Sequence, residues 1–267
     1  ELIRNPAMPT TPTHKHEWKD EYTLLCNRCG YIIDDLDHSH PCPECSTPIA
    51  QSLPHLRKGT HWQQSQSVVT LVRTWITTIA HPFRTLDQIR FSEIHPKEQA
   101  IFNIIVATII ITLGAGVFLI ASPPSAGIPV TLIAFVFIAL VWITLWILTV
   151  IEARGLQFFA ARRGGRITDQ IAWTIVAHGS VGWIITALGL AAAPVIISTY
   201  LILTNPTGFK DPSTIPASVL WTTLIISTFI ALAGFLFFES FAYLGLRRCK
   251  YANRTRPKTA PNQTPQP

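Results

Sequence analysis

The chain has 267 residues, 48% of them apolar and only 13% charged, about half the charged share of an ordinary soluble domain. The formal net charge is +6, but the basic residues flank apolar runs and build no single patch, which argues against nucleic acid as a partner and for signals of membrane topology. Charge is concentrated in residues 1–100 and in the last twenty or so, while 101–245 carry very little. That is the profile of a soluble head, a membrane body and a short tail.

Residues 1–22 are polar and rich in Pro, Thr and His, and disorder is expected there. Residues 1–60 contain no apolar core of the length a secretory signal needs, so none is expected. Residues 23–54 hold Cys26-Asn-Arg-Cys29-Gly30-Tyr31 and Cys42-Pro43-Glu44-Cys45, two C-x-x-C pairs with twelve residues between them. Two cysteines on one tight turn direct both sulfurs at one ion, and a second such turn opposite completes a tetrahedron with bonds of about 2.3 Å to zinc. Two disulfides in a secreted module would be the other use of four cysteines, and the missing signal speaks against it. Cys26, Cys29, Cys42 and Cys45 are therefore the expected metal ligands, for zinc, with iron as the alternative. His14, His16, His38 and His40 are surplus to a four-sulfur site and are expected to be solvated.

Residues 55–100 read as a linker that ends in an amphipathic helix. Val68, Val72, Trp75, Ile76, Ile79 and Phe83 recur at helical spacing, with Thr70, Arg73, Thr74, Thr77 and Thr78 opposite. No soluble domain large enough to receive that stripe is visible, so the bilayer interface is its expected place.

The region 101–246 is expected to be an all-α polytopic membrane domain, with spans at about 101–121, 128–151, 171–203 and 217–246, each long enough for a hydrocarbon layer of roughly 30 Å. The third is ambiguous, since at about 1.5 Å per residue it would measure about 50 Å. Crossing once, it leaves 20 of the 21 Lys and Arg on one side, with Lys210 the exception; folded as a hairpin it would make five spans and move the tail charges across. Four are expected, five being the alternative, with both termini cytoplasmic in a bacterial-type membrane. Residues 247–267 are expected to be a disordered basic tail.

Cys-x-x-Cys-Gly-Tyr followed by Cys-Pro-x-Cys resembles the short rubredoxin-like domain of rubrerythrins, which implies an iron electron-transfer centre. The di-iron partner of that chemistry needs Glu-x-x-His on a helical bundle, and no Glu-x-x-His occurs in this chain. Over about residues 23–250 the layout is similar to bacterial membrane proteins that join a zinc ribbon to a Yip-type membrane domain, on the strength of Cys-Gly-Tyr, Cys-Pro-Glu-Cys and Arg162-Arg163-Gly164-Gly165-Arg166 leading into Ala172-Trp173. That family is usually described with five spans, and its ribbons usually place Gly where this chain has Ser46.

Polar groups at membrane depth are functional suspects. His178 lies beside Gly179, Ser180 and Gly182, and Glu239 lies near the end of the last span; together they suggest a proton relay or transporter as one alternative. Cys249 in Arg-Arg-Cys-Lys is read as a reduced thiol, and Asn253-Arg-Thr as a sequon without meaning on a cytoplasmic tail. No catalytic motif is present, so the expected function is non-enzymatic: a membrane adaptor or scaffold whose cytoplasmic zinc ribbon binds a protein partner.

Overall fold

A computed structural model describes residues 22–91, 96–121, 130–204 and 216–254. The expected disorder of 1–22 falls almost wholly outside these residues. After the cysteine-bearing segment and two short 3-10 turns come three small helices, α1 (His61–Gln64), α2 (Val68–Ala80) and α3 (Pro82–Gln88). Five more follow, all but α6 much longer: α4 (Pro96–Ala121), α5 (Val130–Arg162), α6 (Asp169–Gly179), α7 (Val181–Thr204) and α8 (Ala217–Arg248). Among the described residues the fold is all-α, with four helical stretches long and apolar enough to cross a membrane: α4, α5, α6 with α7, and α8.

These helices are apolar on nearly every face, which in a chain of this size marks membrane spans. Helix α5 shows it best. Phe135, Leu140 and Ile151 are 72%, 58% and 59% exposed, and the helix is held to the rest chiefly along one edge. On that edge Trp146 stacks between Trp142 and Trp173, with centroids 6.0 and 5.4 Å away, and Trp183 donates from Nε1 to Thr149 Oγ1 at 2.9 Å. At 33 residues α5 is about 50 Å long, well past the expected end at Ile151, and carries Arg154 and Arg162 beyond the apolar zone.

The stretch 171–203 runs along the bundle once. Along α8, Ile175 lies against Gly245, Gly179 against Phe241, Gly182 against Phe238 and Gly189 against Ala231. The contacts advance steadily in opposite chain directions, and a hairpin would double back. The line is interrupted at Ser180, whose backbone turns at φ −64°, ψ −6°. The Ala177 carbonyl at the interruption is met twice over: it accepts from Ser180 Oγ at 2.8 Å and from Asn103 Nδ2 of α4 at 3.2 Å. Asn103 also donates to Ser180 Oγ at 2.9 Å. A broken turn buried in an apolar bundle thus keeps its hydrogen bonds. Farther along, a Cβ on Gly182 would sit 2.6 Å from Gly234 O, so the paired glycines let α7 and α8 touch backbone to backbone.

The stripe on α2 points away from the protein. Val68, Ile76 and Phe83 (the last on α3) are 77%, 61% and 51% exposed, while Leu71, Thr74 and Thr78 are buried. Thr74 Oγ1 accepts from the Trp62 amide at 2.9 Å. Trp75 turns inward at its polar tip, donating from Nε1 to Asn103 Oδ1 at 2.8 Å. A helix that buries threonines and exposes valine, isoleucine and phenylalanine suits an apolar exterior.

Helices α6 and α7 passing once along the bundle would put the flanking segments on opposite sides of a membrane. In a Cys249→Ser background, cysteines placed at Arg163 and at Ser218 should react with a membrane-impermeant thiol reagent from opposite sides of intact cells or inverted vesicles. Labelling of both from the same side would show that 171–203 crosses twice.

Candidate metal centre

The two C-x-x-C segments fold as near copies of one another. In the first, the Gly30 amide donates to Cys26 O at 2.9 Å and the Cys26 amide to Tyr31 O at 2.8 Å; in the second, Ser46 donates to Cys42 O and Cys42 to Thr47 O, both at 2.8 Å. Each knuckle closes with a residue of positive φ, Gly30 at 82° and Ser46 at 57°. Glycine takes that backbone freely and serine at a cost of about 1 kcal/mol or more. The departure at Ser46 therefore alters the strain of the second knuckle and leaves its geometry intact.

The four sulfurs of Cys26, Cys29, Cys42 and Cys45 lie within 4.8 Å of one another. Across the knuckles, Cys26 and Cys45 are 3.5 Å apart and Cys29 and Cys42 3.6 Å. A tetrahedron with metal–sulfur bonds of ~2.3 Å has edges of about 3.8 Å, so the spacing fits one ion in a four-thiolate cage and is far too long for disulfides, whose sulfurs stand about 2.05 Å apart. All five cysteines are free thiols. Burial pushes the Cys26 and Cys29 thiols up. The Thr47 hydroxyl, 3.3 Å from Cys45 Sγ, brings Cys45 down to about 6. A bound divalent cation deprotonates every coordinating thiol. The core beneath the cage is small: Ile33, Ile49 and Leu53 beside Cys26 and Cys42. So short a module buries too little apolar surface to fold unaided, and a metal held by the four thiolates would supply what is missing. His38 and His40 are exposed, His40 beside Asp37 at 3.2 Å, and neither belongs to the cage. His14 and His16 lie outside the described residues.

The cage is seated on the end of the helical bundle through residues that sequence reasoning passed over. Arg166, in the turn between α5 and α6, donates to Thr23 O at 2.6 Å and to Asn253 Oδ1 at 2.9 Å. Asn253 is 1% exposed. Its Oδ1 accepts from the Leu25 amide at 2.9 Å, and its Nδ2 donates to Leu25 O at 2.6 Å and Ser52 O at 2.7 Å. One side chain from beyond the last span thus binds both ends of the cysteine module. Tyr251 lies against Gly30, where an added Cβ would stand 2.8 Å from its ring. The tail is accordingly ordered past 247, against expectation. Ala252 and Asn253 are as buried as the core, Ala252 within the apolar cluster of the bundle and Asn253 against the module; 255–267 lie outside the described residues. Cys249 is buried as well, which pushes its thiol up to about 11.

The intramembrane suspects are not brought together. His178 Nδ1 is 2.8 Å from Thr174 O, which can only accept, so Nδ1 carries the hydrogen and Nε2 accepts from Thr60 Oγ1 at 3.0 Å. Both ring nitrogens are occupied, one by the linker, and none is left for Glu239. The histidine ties the linker to α6.

No family model, no curated protein and no solved structure matches this chain.

Metal retention should report the knuckle geometry. Against a chelating dye, Ser46→Gly should hold metal at least as firmly as the native chain, whereas Gly30→Ala, strained in φ and blocked by Tyr251, should release it at least about tenfold more readily. Equal release by both variants would refute the assignment of these turns. At the seat, Asn253→Ala leaves two carbonyls, one amide and Arg166 short of a partner and should cost about 2–5 kcal/mol. Hydrogen exchange should then rise across 23–54 while α7 and α8 stay protected; unchanged exchange would show that the module is held by other contacts.

Proposed function

We propose that this chain is a non-enzymatic membrane scaffold whose zinc-held ribbon is fixed on the cytoplasmic end of a four-span bundle and offers its outer face to a protein partner. What carries this is the closed character of the metal cage joined to its rigid seat. Four sulfurs at tetrahedral spacing leave no ligand position for a substrate, as structural zinc sites do and catalytic ones do not. The Asn253 and Arg166 hydrogen bonds hold the ribbon in one orientation instead of leaving it on a free linker. Its outward loop carries Tyr31 and Ile32, 38% and 40% exposed, among the exposed acids Asp34, Asp35 and Asp37. A partner with an apolar contact ringed by basic residues would suit that face.

Two independent features support a cytoplasmic ribbon. Reduced thiols are maintained in the cytosol, and basic residues cluster in 1–100, in the α5–α6 turn and after α8, as on the inner side of a bacterial membrane. The resemblance to ribbon-bearing Yip-type proteins points the same way, by analogy of layout alone. An iron-tetrathiolate redox centre is the second reading, since four thiolates accept iron as well as zinc.

Protein purified from its native host should contain one zinc per chain. Tyr31→Ala with Ile32→Ala should keep that zinc yet lose partners captured by in-cell crosslinking, and Cys26→Ser with Cys29→Ser should lose both the zinc and the partners. Partner sets identical to those of the native chain would overturn the scaffold reading, and stoichiometric iron with a reversible redox spectrum would establish the electron-transfer reading in its place.

A further inference from the structure

A cleft of about 840 Å³ opens where the ribbon, the linker and the end of α8 meet. Its walls carry Arg28 from the first knuckle, Arg57 and Lys58 from the linker, and Arg247 and Arg248 from the last turn of α8, against a single carboxylate, Asp87. Two of these cations are committed to the fold. Arg57 donates to Leu86 O and Ile89 O at 3.3 and 3.0 Å. Arg248 pairs with Asp87 at 2.7 Å and lies 4.9 Å from the centre of the Phe83 ring. Among the described residues, Arg28, Lys58 and Arg247 have no acidic partner, although they face the same space. Folding has gathered like charges from three segments far apart in sequence, and nothing within the described chain neutralises them.

The position of the cleft says what would. Arg247 and Arg248 end the apolar stretch of α8, so the opening lies where the hydrocarbon zone gives way to the polar one. Beside it, Phe83 of α3, half exposed, lies under the Arg248 guanidinium, and Tyr243, also half exposed, lies under the Arg247 guanidinium at 6.0 Å. Apolar side chains facing a bilayer directly beneath a cluster of free cations are what a phospholipid meets with its chains and its phosphate. We infer that this cleft binds the phosphate headgroup of an anionic membrane lipid, with Arg28, Lys58 and Arg247 as its contacts. The inference rests on membrane residence and is independent of the ribbon's protein partner. A lipid held there touches the metal module on one side and the last span on the other.

The test uses the full chain in a neutral detergent, titrated with phosphatidylglycerol or phosphatidylcholine while thermal unfolding is followed by tryptophan fluorescence. Phosphatidylglycerol should raise the unfolding temperature of the native chain, and phosphatidylcholine should not. In Arg28→Gln with Lys58→Gln the concentration needed should rise about tenfold or more. In Arg162→Gln with Arg163→Gln, which removes as much charge from the end of α5, it should stay unchanged. Retained metal content certifies that the first variant is folded. Equal losses in both variants, equal stabilisation by phosphatidylcholine, or a full shift produced by inorganic phosphate at the same concentration would each overturn the inference, the last by making the ligand a soluble anion.

Discussion

The amide of Asn253 satisfies and is satisfied by groups from three separate parts of the chain: the backbone of Leu25 and Ser52 at the two ends of the cysteine module, and the guanidinium of Arg166 in the turn before α6. Buried at 1% exposure, these bonds are costly to leave unmade, and every member needs the others in place. Arg166 is likewise buried, at 7% exposure, which is tolerable for a guanidinium only while its donors are occupied. The orientation of the ribbon relative to the bundle therefore follows from a short polar network and from the two helices, α5 and α8, that deliver its members. The four-cysteine cage closes the ribbon internally, and Asn253 gives it a place.

What could be read from the sequence divides along the range of the interactions involved. The cage was legible because Cys26, Cys29, Cys42 and Cys45 act over twenty residues and their spacing encodes their geometry. The spans were legible because hydrocarbon thickness imposes a length on any apolar run. The exposed stripe of α2 needed one further inference, the absence of a soluble domain to cover it. The docking network was not legible. Asn253 is separated from its partner Leu25 by 228 positions, sits in a basic, Pro-rich setting that reads as a tail, and has the context of a glycosylation sequon. Arg166 was counted as a topological charge, and its hydrogen bonds carry no local signature. His178 was legible as unusual but not as to its use, since its partner Thr60 belongs to a linker that had no predicted contact with the membrane helices.

The third apolar stretch shows how local strain and global topology are reconciled. Its excess length invited a hairpin, and a helix break does occur, at Ser180. A break becomes a reversal only if the freed backbone groups can be solvated or paired along a new direction. Here Asn103 of α4 supplies donors at the break itself, and the glycine contacts between α7 and α8 continue in register on the far side. Pairing across the helices holds α6 and α7 in one line, so the interruption is absorbed without adding a span. The extra length is carried by the α6 end, where the linker, α2 and the Thr60–His178 hydrogen bond cover it.

That covering also explains why the soluble segments cannot be regarded as appendages. The linker meets α6 through Thr60, α4 through Trp75 and Asn103, and α8 through Asp87 and Arg248. The cysteine module meets the α5–α6 turn and the segment after α8. Each long helical segment except α5 is thus touched by chain that precedes the first span, and α5 contributes through the turn that carries Arg166. An assembly so connected makes residues 22–91 a cap on one end of the bundle, held by polar contacts at its rim and closed by the four-cysteine cage within. Any ligand or partner that binds the cap acts on a surface continuous with the ends of the membrane helices, which is the physical basis on which a closed four-cysteine module without an open coordination position can still matter to what happens in the membrane.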